Sequence, residues 1–434
     1  MTPTLLPSSA TFCLNSPTVH RLPNGLTIVA EQMPVEAVNL SLWLGIGSAI
    51  ESDAINGMAH FLEHMIFKGT QRLKLGEFER HIEQRGAVTN AATSQDYTHY
   101  YITTAPRDFA ELAPLQIEVA LNAAIPDEEF ERERSVILEE IRRANDNPRR
   151  RTFYRSMEMA FDRLPYRRPV LGLSEVVERL TPQQMRDFHA TWYKPQSMTA
   201  VAVGNLPVEQ LIEIVAESFE TAQAHRAMRS DAPLPALPTH ELEQPFDRIL
   251  RQEYVDESLQ QARMVMTWRV PGMEDVAQTY ALDALASILS QGRTARLVRE
   301  LREDQQLVTG ISVSNMTYTT QGVFYIVAQL PLENVPAVEA AIARHLHQLQ
   351  TELVTDAEID RVRTVVANRY IFASETPSDR AGLYGYYHAV MGDLDPALNY
   401  PTYIQALTAL DLQSAAQRYL SPNAYAMLVM KPSI

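Results

Sequence analysis

Val88-Thr-Asn-Ala-Ala-Thr-Ser-Gln-Asp-Tyr-Thr-His-Tyr-Tyr-Ile102 lies 225 residues before Val313-Ser-Asn-Met-Thr-Tyr-Thr-Thr-Gln-Gly-Val-Phe-Tyr-Ile-Val327, and the two stretches line up without a gap. Residue by residue the match is weak. Its weight comes from position, because each stretch holds the same place in a repeated order of elements. Each reads as a strand pair rich in β-branched and aromatic residues. Ahead of the first stand a turn at Pro23-Asn24-Gly25, a strand at 37–46 with Val38, Leu40, Leu42 and Leu44 in alternation, and helical spacing at 57–68 and 75–84. Behind it come helices at 107–123, 127–147 (stopped by Pro148), 181–191 and 206–219, with a strand at 198–203. The second stretch sits between a strand at 263–270 with helices at 277–289 and 295–303, and helices at 336–353, 356–374 and 411–419 with a closing strand at 425–430. Between the runs, Ala232–Pro245 carries four prolines and can be neither helix nor central strand. The pattern predicts an α+β fold of two homologous halves, about 200 residues each, each a mainly antiparallel sheet packed with helices. The expected division is 1–228, a Pro-rich linker at 229–246, and 247–434.

The chain has 434 residues, with 38 Lys+Arg against 53 Asp+Glu, a net charge of −15. A field of that sign repels phosphate backbones and argues against nucleic-acid binding. It would favour cationic partners, such as basic peptides. A composition 46% hydrophobic and 21% charged excludes disorder as the dominant state. The one cysteine, Cys13, cannot form an intramolecular disulfide and reads as an inert thiol. The first residues have neither a basic start nor a continuous apolar stretch, and no window approaches the roughly 18 apolar residues of a membrane span. The expectation is a soluble protein of the cytoplasm, or a mature form inside an organelle, with no membrane partner.

The informative chemistry lies in His60-Phe61-Leu62-Glu63-His64. On a helix, residues i, i+3 and i+4 share a face, so two imidazoles one turn apart point the same way with a carboxylate beside them. That set suits Zn²⁺, and the carboxylate can take a proton from an attacking water. The alternative is a solvated helix face with accidental spacing. Met58, Phe61, Leu62, Met65, Ile66 and Phe67 oppose it, because they make this a largely buried helix where unpartnered polar groups are costly. A catalytic zinc needs a third protein ligand. On the 127–147 helix, Glu133, Ile137, Glu140, Ile141 and Ala144 share one stripe, whereas Glu139 has Arg132, Ser135, Arg142 and Arg143 around it. Glu140 is therefore the better ligand. Without the histidine motif, Glu139-Glu140 would read as an ordinary charged patch.

Gly57-Met-Ala-His-Phe-Leu-Glu-His-Met-Ile-Phe-Lys-Gly-Thr70 resembles the zinc helix of the inverzincins, the M16 (pitrilysin-type) peptidases, and is closest to half-length members similar to mitochondrial processing peptidase. Leu138-Glu139-Glu140-Ile141 matches the segment that supplies that family's third ligand, 140 − 64 = 76 residues on. The likeness extends through Arg21-Leu-Pro-Asn-Gly-Leu26, Gly47-Ser48, Asn90-Ala91, Thr93, Tyr166-Arg-Arg-Pro169 and Tyr193-Lys-Pro195. The resemblance implies Zn²⁺ held by His60, His64 and Glu140, with Glu63 as general base and Glu133 as a supporting acidic residue. It also implies an edge strand near Asn90 and Ala91 that aligns the peptide by β-augmentation. Asn90 reads equally well as a strand-end residue, and His99 as a satisfied strand histidine.

One feature departs from the family. Active members carry an Arg and a Tyr, seven residues apart, in the second half to hold the substrate backbone. Arg302 matches, but Thr309 stands where the tyrosine belongs, and no aromatic lies within three residues of it. Arg302 also reads as a helix-surface charge. The resemblance then implies the zinc-bearing subunit of a dimer, paired with a zinc-less homologue that supplies the Arg/Tyr pair, or else a homodimer. The function implied is a zinc metalloendopeptidase acting on oligopeptides, unfolded segments or targeting peptides in an enclosed chamber. A non-proteolytic assembly subunit is the alternative, and processing of one dedicated peptide a third reading.

Overall fold

The turn at Pro23-Asn24-Gly25 closes a hairpin between β1 (Thr18–Arg21) and β2 (Thr27–Gln32), with Gly25 in the left-handed region its second strand requires. The computed structural model describes residues 16–225 and 233–433, so Cys13 and the start of the proposed linker lie outside the described residues. After β2 come β3 (Val38–Leu44), α1 (Met58–Met65), α2 (Glu77–Gln84), β4 (Val88–Thr93), β5 (Thr98–Thr104), α3 (Phe109–Leu121) and α4 (Asp127–Asp146). Then follow α5 (Pro148–Ala160), α6 (Ser174–Val177), α7 (Pro182–Trp192), β6 (Met198–Gly204) and α8 (Val208–Ala224). The second run is β7 (Ile249–Val255), β8 (Ala262–Pro271), α9 (Tyr280–Ser290), β9 (Gly310–Met316), β10 (Gln321–Leu330), α10 (Val335–Thr351), α11 (Asp356–Phe372), α12 (Pro377–Met391), α13 (Asp395–Ala406), α14 (Ala409–Tyr419) and β11 (Tyr425–Lys431).

The sheets repeat each other. The first has the order β1-β2-β6-β3-β5-β4 and the second β7-β11-β8-β10-β9, which is the same order without β1. The pairing senses also match, with β2·β6 and β7·β11 parallel and the other corresponding pairs antiparallel. Both quoted stretches are the edge hairpins of their sheets, β4–β5 and β9–β10. Their turns meet. Asp96 accepts from Thr319 N at 2.9 Å, Tyr166 Oη donates to Asp96 at 3.0 Å, and the Tyr166 and Tyr318 rings stack at 4.4 Å.

Three sequence expectations need correction. Pro148 does end α4, but it also starts α5, because proline is preorganised for a first helical position and Asn147 caps Arg149 N at 2.9 Å. The predicted helix at 295–303 is instead a π-helical turn, Val298–Asp304. β7, α5, α12 and α13 carry no clear period in the sequence; β7 is largely exposed along its length.

Two of the missed helices, α5 and α12, have a shared role. α12 lies across the outer face of the first sheet, where Ala381 and Tyr384 pack with Val29, Trp43, Val201 and Val203. Gly385 permits the approach, since a Cβ there would stand 2.1 Å from Trp43 Nε1. α5 returns the favour on the second sheet, with Phe153 and Met159 against Val265, Tyr325 and Leu428. Each half thus covers the other's sheet. This explains why all seven residues of β3 are buried although its alternation suggested one wet face. The prolines at 233–245 lie in a segment with neither helix nor strand, anchored by the buried Glu243, whose carboxylate accepts from the backbone N–H of Asp162, Arg163 and Leu164 at 2.8–2.9 Å.

Candidate metal centre

α1 begins at Gly57, whose φ of 99° few other residues would accept, and its apolar side chains Met58, Phe61, Leu62 and Met65 enter the first core. Its N-terminus is held from outside the helix. Glu51 accepts from Gly57 N at 2.8 Å, Ala59 N at 2.7 Å and Asn56 Nδ2 at 3.0 Å. Full burial pushes the Glu51 carboxyl up to about 7, against the pull of those bonds and of Arg168. Sequence reading missed Glu51: it stands six residues before Gly57, outside any capping pattern.

With that end fixed, His60 and His64 project toward α4. His60 Nε2 stands 3.6 Å and His64 Nε2 3.7 Å from Glu140 Oε2, and the ligand atoms of the three residues all lie within 4.8 Å of one another. These separations are too long for hydrogen bonds. They fit the edges of a tetrahedron with metal–ligand bonds of about 2.0–2.1 Å, roughly 3.4 Å. Burial, assisted by the neighbouring His64, pushes the His60 imidazole down to about 3, so it is neutral near pH 7. No hydrogen-bond partner meets its buried Nδ1 among the described residues. Three donors, two imidazole and one carboxylate, face a common point with no hydrogen bond from either imidazole to the carboxylate, and that donor set suits Zn²⁺.

The other candidates fall into place around this triad. Glu133 is not aimed at the point of convergence. Its Oε1 accepts from His64 Nδ1 at 2.9 Å and its Oε2 pairs with Lys68 at 2.7 Å. Burial works against its charge, but the His64 and Lys68 bonds outweigh it and hold the carboxyl low. Lys68 is a second residue the sequence reading missed; its place one turn beyond His64 was the available signal. Glu63 receives a hydrogen bond from Thr93 Oγ1 of β4 at 2.5 Å, and burial raises its carboxyl above the usual range. Glu139 is bound to Arg142 and Arg143.

Asn90 and Ala91 lie on β4, the sheet edge beside α1, where the Asn90 side chain accepts from Ala91 N at 2.9 Å. Thr93, two residues on, makes the contact to Glu63. His99 is remote in role: it stacks on Trp43 at 4.2 Å, and burial lowers it to about 4. Arg302 is not brought to the triad. Its guanidinium binds the adjacent Glu303 at 2.7–2.9 Å, and Thr309 Oγ1 donates to Gln261 at 2.8 Å.

Fold and triad together define a duplicated scaffold that, among the described residues, presents a metal-ligating set on its first half. The model described as Insulinase (Peptidase family M16) matches residues 27–173, and that of the Peptidase M16 inactive domain matches 179–366. The chain belongs to the M16 peptidase family, at its half-length size. It is 28% identical to the Zinc protease PqqE of Helicobacter pylori over 95% of this chain and 92% of that protein. It is 25% identical to an uncharacterized zinc protease of Rickettsia bellii, over 95% and 97%. The crystal structure of a protease from Helicobacter pylori superposes with a TM-score of 0.89 at 27% identity, covering 96% of this chain and all of that one. A peptidase M16 inactive domain from Pseudomonas fluorescens, with TM-score 0.84 and 20% identity, shares the fold. Among the described residues, no helix is long and apolar enough to cross a membrane.

Proposed function

We propose that the chain is a zinc-dependent endopeptidase acting on oligopeptides or unfolded segments. The observation that carries this reading is the convergence of His60, His64 and Glu140 at separations of 3.6–3.7 Å with no hydrogen bond among them. Those three residues would hold Zn²⁺, which when bound supplies Lewis acidity toward a scissile carbonyl. Glu63 is the general base. Its carboxylate takes the proton of the attacking water and passes it to the leaving nitrogen, and its raised pKa suits both steps. Thr93 holds that carboxylate in place, and Glu133 orients His64 as a positioning residue rather than a catalytic one. The exposed edge of β4 offers Asn90, Ala91 and their neighbours as a backbone template for an extended peptide.

The active assembly in this reading is a dimer, with a homologous zinc-less subunit that contributes an Arg/Tyr pair, or with a second copy of the chain. The engagement of Arg302 by Glu303 and of Thr309 by Gln261 supports the need for a partner. It also favours the second reading, an assembly subunit without proteolysis. Elemental analysis of the purified chain, followed by peptide cleavage by wild type and Glu63→Gln with and without the candidate partner, separates the two. One zinc per chain with cleavage lost in Glu63→Gln supports the peptidase; zinc without cleavage under any pairing leaves the assembly subunit.

A further inference from the structure

Beside the triad, at the N-terminal end of α5, lies a cavity of about 350 Å³ whose walls include Gln95, Arg149, Arg150, Tyr154, Arg167 and Arg168. Four guanidinia line it. Asp53 neutralises one charge, pairing with both Arg167 at 3.0 Å and Arg168 at 2.7 Å. Among the described residues, neither Arg149 nor Arg150 has a carboxylate within 4.0 Å, so these two guanidinia have no ion-pair partner. A further arginine, Arg263 of β8, lies close enough to Arg149 that burial and then Arg149's charge lower its pKa. The cavity adjoins the candidate centre. Arg150 is among the charges felt by His60, and Glu140 among those felt by Tyr154, the phenol against which Arg150 rests. Gln95 follows β4 in the hairpin turn, so a peptide laid along the β4 edge past Thr93 runs toward this opening.

We propose that the arginine-walled cavity is the specificity pocket for an acidic peptide residue, receiving a carboxylate next to the bond that is cut. The inference rests on the peptidase reading above. It reverses the expectation from net charge: the chain carries −15 overall, but four arginines line this cavity, and the nearest charges act most strongly on a bound side chain. The carboxylate can come from an Asp or Glu side chain or from the free C-terminus of a short peptide, and guanidinia bind either in a forked geometry.

The test uses zinc-loaded full-length chain, with its partner if one is needed, and quenched peptides carrying Glu, Gln or Lys at each position around one fixed scissile bond. At the position facing the pocket, Glu is expected to exceed Lys by about tenfold or more in kcat/KM. The double variant R149E/R150E should invert the order, and Arg150→Gln should weaken it. Both arginines are exposed, and melting curves check that the variants fold. If the preference vanishes on C-terminal amidation, the terminal carboxylate is the group bound; if it survives, the side chain is. Equal kcat/KM for the three residues, or an unchanged preference in R149E/R150E, overturns the proposal. If no peptide is cleaved with zinc bound, the peptidase reading fails and the pocket is judged by fluorescence anisotropy alone. Tighter binding of the labelled Glu peptide than of the Lys peptide, lost in R149E/R150E, sustains the pocket, and equal binding overturns it.

Discussion

The second half holds a cleft where the first half holds its triad. α9, β9 and α11 stand in the repeat where α1, β4 and α4 stand in the first, and between them lies a cavity of about 440 Å³ lined by Asp283, Asn315, Arg369 and Tyr400. The chemistry differs in one respect. Asp283 accepts from Asn315 Nδ2 and from Tyr400 Oη, both at 2.9 Å, so its carboxylate is held by hydrogen bonds within the cleft. At the triad, two imidazoles and a carboxylate face each other beyond hydrogen-bonding distance. One scaffold therefore tolerates buried polar groups in two ways: by closing them into hydrogen bonds, or by aiming them at a point that a cation can fill.

Changes at equivalent places should break this comparison unequally. The largest effect belongs to Glu63→Gln, which should keep metal by elemental analysis and lower kcat by about 10²–10⁴; Asp283→Asn should leave peptide turnover near wild type. Undiminished turnover in Glu63→Gln would remove the general base from the scheme. Next, Glu51→Ala leaves two buried N–H groups of α1 without acceptors and should cost about 2–4 kcal/mol in denaturant unfolding. A loss below 1 kcal/mol would show that the start of α1 does not depend on it.

The pH dependence of Asp283 sharpens the contrast. Burial pushes its carboxyl to about 6, above the ordinary 3.8, so the folded state holds a proton that the unfolded chain releases. Its contribution to stability is thus greatest below pH 4 and declines as the pH rises toward 6, by about 3 kcal/mol in all. Unfolding curves of wild type and Asp283→Asn should diverge in slope across that window, and parallel curves would contradict the assignment. The smallest effect expected is Glu133→Ala, which frees His64 Nδ1 and should weaken zinc binding by about 10–100-fold against a competing chelator.

The triad was legible because helical spacing is a local rule: two histidines four apart on an apolar helix, and a carboxylate on the buried stripe of α4, can be placed without knowing the fold. The duplication was legible as a repeated order of elements. Glu51 was not, since two short 3₁₀ turns, Ser48–Ile50 and Asp53–Ile55, bring it back to the start of α1, and only tertiary structure reveals that path. Lys68 and the role of Glu133 were hidden for the same reason, because the pairing of Glu133 with both His64 and Lys68 depends on how α1 crosses α4. The pocket arginines come from two separate segments, 149–150 and 167–168, and the total charge points the other way. α5 and α12 escaped because each packs on the far half's sheet.

That exchange of helices bears on how the chain is made. Synthesis runs from the N-terminus, so β3 and β6 emerge long before α12, and the outer face of their sheet with Trp43 and Val201 stays bare until residue 391 has left the ribosome. A gene cut at the proline segment would give two products that each lack a layer of their own sheet. They should be recovered together when co-expressed, and in inclusion bodies when made alone.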